Sequence, residues 1–217
     1  MTNENILLVC VSPRRKGTSA MLLERIKNFI GGEIVFLNQK GSFEELIKKM
    51  QMAKIIVISG PTYINSYPAR LFEFLEKEVP NHKFSNQKLY GIINGGMPYV
   101  HTHEHGLFYL KLFAKENSFS WMGGFVLGGG AILDGQPLEK HLNHRKVVPL
   151  FDQFISCIGK GVFAPKELYE KAEVAIPKCI TYVLSKALTS KVVKNLKKYD
   201  HNPSDLIYYL KELDSKN

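Results

Sequence analysis

The sequence is poor in the features that mark secreted and membrane proteins. Its three cysteines, Cys10, Cys157 and Cys179, lie far apart, which argues against a disulfide framework or a CxxC metal site and fits a reducing compartment. No run of about 18 or more apolar residues occurs, so we expect no membrane span. The first apolar run, residues 5–11, is short and follows no basic segment, so we expect no secretory signal. The expected location is the cytoplasm.

Several binding motifs are also missing. Neither the Walker sequence GxxxxGK[ST] nor GxGxxG is present, and there is no zinc finger or RNP box. The formal net charge is nevertheless +9, and much of the excess lies near the C-terminus, in Lys186, Lys191, Lys194, Lys197 and Lys198. A solvated helix face explains these lysines more simply than a nucleic-acid patch, so we expect no nucleic-acid partner. An anion or nucleic-acid binder is the weakest alternative function.

Short apolar runs dominate the first half of the chain. Four are continuous and rich in β-branched residues, and a fifth is interrupted by glycine; they cover residues 5–11, 33–37, 54–59, 88–94 and 121–128. Continuous runs are typical of strands that are covered on both faces, as in parallel sheets. The runs therefore predict five parallel strands.

Helical patterns separate these runs, with apolar side chains recurring every three or four residues. The patterns cover residues 22–30, 43–50, 71–79 and 107–114, with Ser42 as an N-cap and Pro68 near a first turn. Alternating strands and helices predict an α/β fold, a doubly wound five-stranded parallel sheet with helices on both faces.

The pattern changes after about residue 130. Residues 145–158 are helical in pattern although they contain Pro149, and from Pro165 onward only helices are indicated, with breaks near Pro177 and Pro203. We therefore predict a core domain over residues 1–160 and a helical C-terminal extension over residues 161–217. The extension would pack on the core or at a dimer interface.

Three loops follow the first, third and fourth predicted strands, where ligands bind in open α/β sheets. The first loop, SPRRKGTS (residues 12–19), combines hydroxyls, a forked guanidinium and a helix N-terminus, all of which suit a phosphate. The second loop, GPTYINS (residues 60–66), and the third loop, NGGMPY (residues 94–99), could flank a flat ring. Each loop alone could also be an ordinary surface turn.

Together these loops resemble those of the NADPH-dependent FMN reductase family, which has a flavodoxin-like fold. SPRRKGTS is similar to the GSPRKxGNT-type loop of that family, GPTYINSYPARLFEFLE to its second flavin loop and NGG to its third, over roughly residues 5–128. The resemblance implies FMN as cofactor and NAD(P)H as co-substrate. It also implies a homodimer and a small acceptor, which could be a quinone, a nitro or azo compound, a metal ion or free flavin.

The resemblance also implies a set of cofactor-binding residues. Four would hold the FMN phosphate: Ser12, Arg14, Thr18 and Ser19. Five would line the isoalloxazine ring: Pro61, Thr62, Tyr63, Ile64 and Asn65. Three would touch its polar edge: Asn94, Gly95 and Gly96.

The sequence departs from the family pattern in places. Val11 stands where glycine is frequent, Thr18 stands where asparagine is common, and the compact cysteine cluster of related iron–sulfur flavoproteins is absent. Electron-carrying flavodoxins are usually acidic, whereas this chain is basic. The sequence thus favours an NAD(P)H-dependent FMN oxidoreductase, and the alternative is a non-catalytic electron carrier or binding module.

A histidine-rich stretch, HTHEH, follows the third loop. Tyr99 and His105 have the six-residue spacing of a tyrosine and a histidine over the flavin in quinone reductases of this fold, so they are candidate catalytic groups for proton transfer. His101, His103 and His105 could share a face and bind a metal, but this pattern is one ligand short of the metallo-hydrolase motif that it resembles. We predict no metal site.

Overall fold

The computed structural model describes residues 5–38, 43–174 and 178–198. Its sheet has five strands, all parallel, in the order β2-β1-β3-β4-β5. The strands are β1 (Ile6–Cys10), β2 (Glu33–Phe36), β3 (Ile55–Pro61), β4 (Lys88–Asn94) and β5 (Ser120–Leu127). All five predicted strands and the predicted fold class are confirmed. The order reverses between β1 and β3, and this switch point is where open α/β sheets bind ligands.

The central strands owe their continuous apolar sequences to burial on both faces. Every residue of β1 is buried, and so is every residue of β3 up to Gly60. Cys10 is fully buried in β1, where burial raises the pKa of its thiol to about 11. A thiol held in its neutral form behaves as a small core residue.

Seven α-helices are described in these ranges: α1 (Thr18–Ile30), α2 (Phe43–Met52), α3 (Ala69–Glu73), α4 (His105–Glu116), α5 (His144–Lys160), α6 (Glu167–Glu170) and α7 (Lys178–Lys198). The third predicted helix is irregular, because α3 continues into a π-helical turn over Phe74–Glu78. Pro149 lies inside α5 without ending it. The predicted N-cap Ser42 and the breaks near Pro177 and Pro203 lie outside the described residues.

Right-handed crossovers determine how the helices are distributed over the sheet. The chain moves from β1 to β2 in one direction and from β2 to β3, β4 and β5 in the other, so α1 lies on the face opposite to α2, α3 and α4. None of the helices in the described ranges combines the length and apolar character that a bilayer crossing requires.

The chain divides into two compact units, residues 1–174 and 175–217. Within the first unit, the segment after α5 is bound to the sheet, since the Ala164 amide donates to Met122 O (2.8 Å). The hydroxyl of Tyr90, on β4, lies 2.8 Å from Val162 O and 3.2 Å from Cys157 O. These bonds join residues 161–164 to the edge of the sheet. The second unit contains α7, a helix of 21 residues.

Removing the Tyr90 hydroxyl tests this connection. Tyr90 is fully buried, so Tyr90→Phe leaves Val162 O without this donor and should lower the free energy of unfolding by about 1–2 kcal/mol in urea titrations. Tyr109→Phe is the matched control, because the Tyr109 hydroxyl donates to Glu76 at an exposed site (3.0 Å) and should contribute less than about 1 kcal/mol. Equal losses in the two variants would contradict the assignment.

Candidate functional site

The three loops meet in one cleft at the carboxyl edge of the sheet. Its enclosed part has a volume of about 80 Å³. It is lined by Ser12, Arg14, Gly17, Thr18, Ser19, Pro61, Thr62, Tyr63, Asn94, Gly95, Gly96, Ala131 and Asp134. Ten of the twelve predicted cofactor residues therefore lie in one place, although they come from three distant parts of the sequence.

The first loop places the N-terminus of α1 in the cleft. Gly17 is the N-cap and provides no side chain, so the first amide groups of the helix have no side-chain cap. Thr18 and Ser19 are buried there, and Arg14 lies at the surface beside them. Uncapped amides at the positive end of a helix favour an anion, and Arg14 adds a forked donor.

Asn94 joins the loops to one another. Asn94 is 3% exposed, and its side-chain nitrogen donates to Ser19 Oγ (2.8 Å) and to Gly60 O (3.0 Å). Its backbone carbonyl accepts from the backbone amide of Thr62 (2.7 Å). Asn94 is predicted to touch the polar edge of the ring, and in the structure its side-chain nitrogen bonds the ends of α1, β3 and β4 together. Because Ser19 Oγ accepts from Asn94, its own hydrogen is available to an acceptor in the cleft.

Thr62 has a buried hydroxyl in the wall of the cleft. Thr62 Oγ1 and His103 Nδ1 are the buried side-chain polar atoms that lack a hydrogen-bond partner within the described ranges. A buried polar atom without a partner costs free energy, and such an atom in a cleft is accounted for when a ligand completes its hydrogen bonding. The Thr62 hydroxyl therefore supports a polar ligand here.

The second loop ends in a tight two-residue turn. Tyr63 and Ser66 exchange backbone hydrogen bonds of 2.7 and 3.3 Å, and Ile64 and Asn65 between them have positive φ values of 49° and 65°. Ile64 is 99% exposed, and neither it nor Asn65 lines the enclosed cleft, unlike the other ten predicted residues. A β-branched residue in the left-handed region is strained, which is typical of functional loops.

Two buried histidines support loops that form the cleft. His103 Nε2 lies 3.0 Å from Met97 O in the third loop, and the His103 ring packs so closely on Gly95 that a Cβ at that position would lie 2.5 Å from Nδ1. His141 Nε2 lies 2.8 Å from Gly128 O, after β5, while its Nδ1 accepts from the Asn143 amide. These contacts hold the third loop and the loop after β5 in place, and they require glycine at position 95.

The candidate catalytic groups lie outside the enclosed cleft. Tyr99 stacks on His101 with ring centroids 5.7 Å apart. The rings of His105 and Phe108 meet edge to face, with centroids 6.5 Å apart. None of these side chains lines the cleft. Within the described ranges no group of three or more His, Cys, Asp and Glu side chains is placed to hold a metal ion. The proton-transfer role of Tyr99 and His105 stays a prediction.

Three lining residues were absent from the predicted set: Gly17, Ala131 and Asp134. Ala131 and Asp134 belong to residues 128–136, which we name the β5 loop. The sequence carried a signal for this loop in the triple glycine of LGGGAILD, which indicates a close backbone approach. Which strand ends this loop would meet could not be read from the glycines alone.

Comparisons with known proteins agree with this architecture. No family model matches the sequence, and no curated protein matches it. A Trp repressor-binding protein from Bacillus subtilis superimposes with a TM-score of 0.53 and 14% identity, covering 72% of this chain and 96% of that one. An NADPH-quinone reductase from P. pentosaceus superimposes with a TM-score of 0.54 and 14% identity, covering 70% of this chain and 97% of that one. An NADH:FMN oxidoreductase in its apo form superimposes with a TM-score of 0.55 and 14% identity, covering 77% of this chain and 94% of that one.

The chain has a flavodoxin-like fold. An archaeal flavodoxin also superimposes, with a TM-score of 0.51 and 11% identity, over 72% of this chain and 97% of that one. The fold predicted from the loop resemblance is thus confirmed, and at these identities the likeness concerns the fold.

The buried histidines predict how stability depends on pH. Burial lowers the pKa of both His103 and His141, opposed in part by their bonds to Met97 O and Gly128 O, and the neighbours His101 and His144 lower them further. The unfolded chain therefore binds more protons than the folded one once the pH falls below the ordinary histidine value of about 6.5. The contribution of the two neutral histidines to the free energy of unfolding should be complete above that pH. It should decrease as the pH falls toward the pKa values of the folded state.

Urea unfolding at about pH 7.5 and about pH 5.5 measures this loss around the ordinary histidine pKa. The difference should be smaller in His103→Gln and in His141→Gln, whatever their absolute stability. It should be unchanged in the control His105→Gln, because that residue is exposed and is not among the neighbours that lower the pKa of either buried histidine. A wild-type difference that persists in both buried-site variants would assign the pH dependence to other groups.

Proposed function

We propose that the cleft binds FMN and that the protein is an FMN-dependent NAD(P)H oxidoreductase acting on a small acceptor. The observation that carries this proposal is the convergence of the three loops, with an uncapped helix N-terminus on one side and the unpartnered Thr62 hydroxyl on another. The names of two solved structures with this fold, an NADPH-quinone reductase and an NADH:FMN oxidoreductase, support it.

The residues present fit this cofactor. The enclosed 80 Å³ is much smaller than the roughly 300–1,000 Å³ of most ligand pockets, so it suits the phosphate end of the molecule rather than the whole of it. The amides of α1, the hydroxyls of Ser12 and Ser19 and the guanidinium of Arg14 would bind that phosphate. The ring would lie along the open mouth, where Tyr63 is 47% exposed.

Bound FMN would supply the redox chemistry, accepting hydride from a nicotinamide and passing electrons to the acceptor. The protein's own contribution is positioning and electrostatics. The Gly95 amide donates to Leu127 O (3.2 Å), which leaves the Gly96 amide and the Thr62 hydroxyl as polar groups for the ring edge. Donors that are already fixed at that edge would stabilise the anionic reduced form of FMN without having to reorient.

Flavin titration of the purified protein tests the proposal. We expect FMN binding, seen as quenching of flavin fluorescence, and rapid loss of the yellow colour when NADH or NADPH is added without oxygen. FMN binding without reduction by either nucleotide would favour the electron carrier. A protein that binds no flavin would refute the proposal and favour a binding module.

Thr62→Val separates the ligand role of this hydroxyl from a structural role. Since the hydroxyl has no partner in the folded chain, its removal should leave the free energy of unfolding unchanged or raise it by up to about 1 kcal/mol. FMN affinity should fall by roughly 3- to 10-fold, as expected for one hydrogen bond.

Thr102→Val is the matched control for this variant. Thr102 Oγ1 donates to Tyr99 O (2.6 Å), so its loss should reduce stability and leave FMN affinity nearly unchanged. If Thr62→Val loses stability and keeps its FMN affinity, the hydroxyl does not contact the ligand.

A further inference from the structure

The β5 loop docks onto the first loop and closes one side of the cleft. Asp134 Oδ1 accepts from Arg14 Nη1 at 2.9 Å. Thr18 Oγ1 donates to Gly130 O at 2.8 Å, and the Gly135 amide approaches Thr18 Oγ1 at 3.4 Å. The Arg14 guanidinium and the Thr18 hydroxyl, both predicted to bind phosphate, therefore have partners within the protein.

The backbone of the β5 loop places the Asp134 carboxylate. Asp134 has φ 45°, in the left-handed region that aspartate tolerates better than most residues. Gly135 follows at φ 85°, and a Cβ there would collide with Lys16 O. Leu133 and Leu138, 3% and 1% exposed, anchor the chain on either side. The carboxylate would therefore remain near Arg14 even without their ion pair.

A carboxylate in this position has a consequence for anions. The Asp134 carboxylate accepts a hydrogen bond from Arg14 that a phosphate would otherwise accept. Its negative charge also repels a phosphate bound at the N-terminus of α1. The ion pair itself is exposed, with side-chain exposures of 69% and 71%, so it contributes little to folding. Stability therefore does not explain an acid in the wall of an anion site.

We propose that Asp134 is a specificity-determining residue that weakens binding of the phosphorylated ligand by competing with its phosphate for Arg14. This inference rests on the proposed function, because it assumes that the phosphate lies in the enclosed cleft. Asp134 lowers the affinity for FMN and leaves the affinity for riboflavin, which lacks the phosphate, unaffected. Binding of FMN replaces the Arg14–Asp134 pair with an Arg14–phosphate pair.

Asp134→Asn tests this role by binding alone. The substitution keeps size and left-handed tolerance and removes the charge. FMN affinity, measured by fluorescence quenching, should increase roughly 3- to 5-fold, and riboflavin affinity should not change. The gain should shrink as salt is added. The control Glu139→Gln removes a charge from an exposed acid that pairs with Arg25, at 2.7 Å, outside the cleft, and should change neither affinity.

A double-mutant cycle identifies competition for Arg14 as the cause. In an Arg14→Ala background, Asp134→Asn should increase FMN affinity much less than in the wild type. Unchanged or weaker FMN binding by Asp134→Asn overturns the proposal, as does an equal increase for riboflavin.

Failure of the proposed function has a different signature. If the wild type binds neither flavin, that function is wrong, and calorimetric titration with inorganic phosphate then decides about Asp134. Tighter phosphate binding by Asp134→Asn supports the competition, whereas equal binding, or none by either protein, overturns it.

Discussion

The geometry of the cleft depends on the buried side-chain amide of Asn94. This group lies at the end of β4 and bonds to Ser19 at the start of α1 and to Gly60 near the end of β3. A buried amide requires partners, because an unsatisfied donor costs about 1–3 kcal/mol. The requirement fixes three chain segments relative to one another at the switch point of the sheet. The convergence of the loops is thus a consequence of hydrogen-bond satisfaction as well as of strand order.

Two buried histidines extend this support to the third loop and the β5 loop. His103 and His141 each place a ring nitrogen on a loop carbonyl, at Met97 and at Gly128, and the Gly129 amide bonds to Met97 O at 2.8 Å. The third loop and the β5 loop are therefore coupled to each other through short backbone contacts. Glycine is needed because the supporting rings and chains approach the backbone directly, at Gly95 and at Gly135.

The sequence predicted the sheet well because the determining signal is local. Continuous apolar runs such as residues 54–59 are sufficient to identify buried strands, and helical periodicity identifies the segments between them. Placement of Arg14, Tyr63 and Gly95 in one cleft followed from strand order together with the loop resemblance. Several details were not accessible: the irregular end of α3, the exposure of Ile64, and the use of Asn94 and Thr18 inside the protein. The bonds of Asn94 and Thr18 join residues far apart in sequence, such as Thr18 with Gly130. The exposure of Ile64 follows from the backbone geometry of the turn between Tyr63 and Ser66, which residue types alone do not reveal.

The long separation between the first loop and the β5 loop affects how the protein folds. Their bonds join residues 112 to 120 positions apart, so the cleft acquires its fourth wall only after more than half of the chain has been synthesised and paired. Contacts of this kind close large loops and form late relative to local helices. The nascent sheet would therefore pass through a stage in which the N-terminus of α1 is open to solvent, and anions in the surrounding solution could occupy it before the β5 loop arrives.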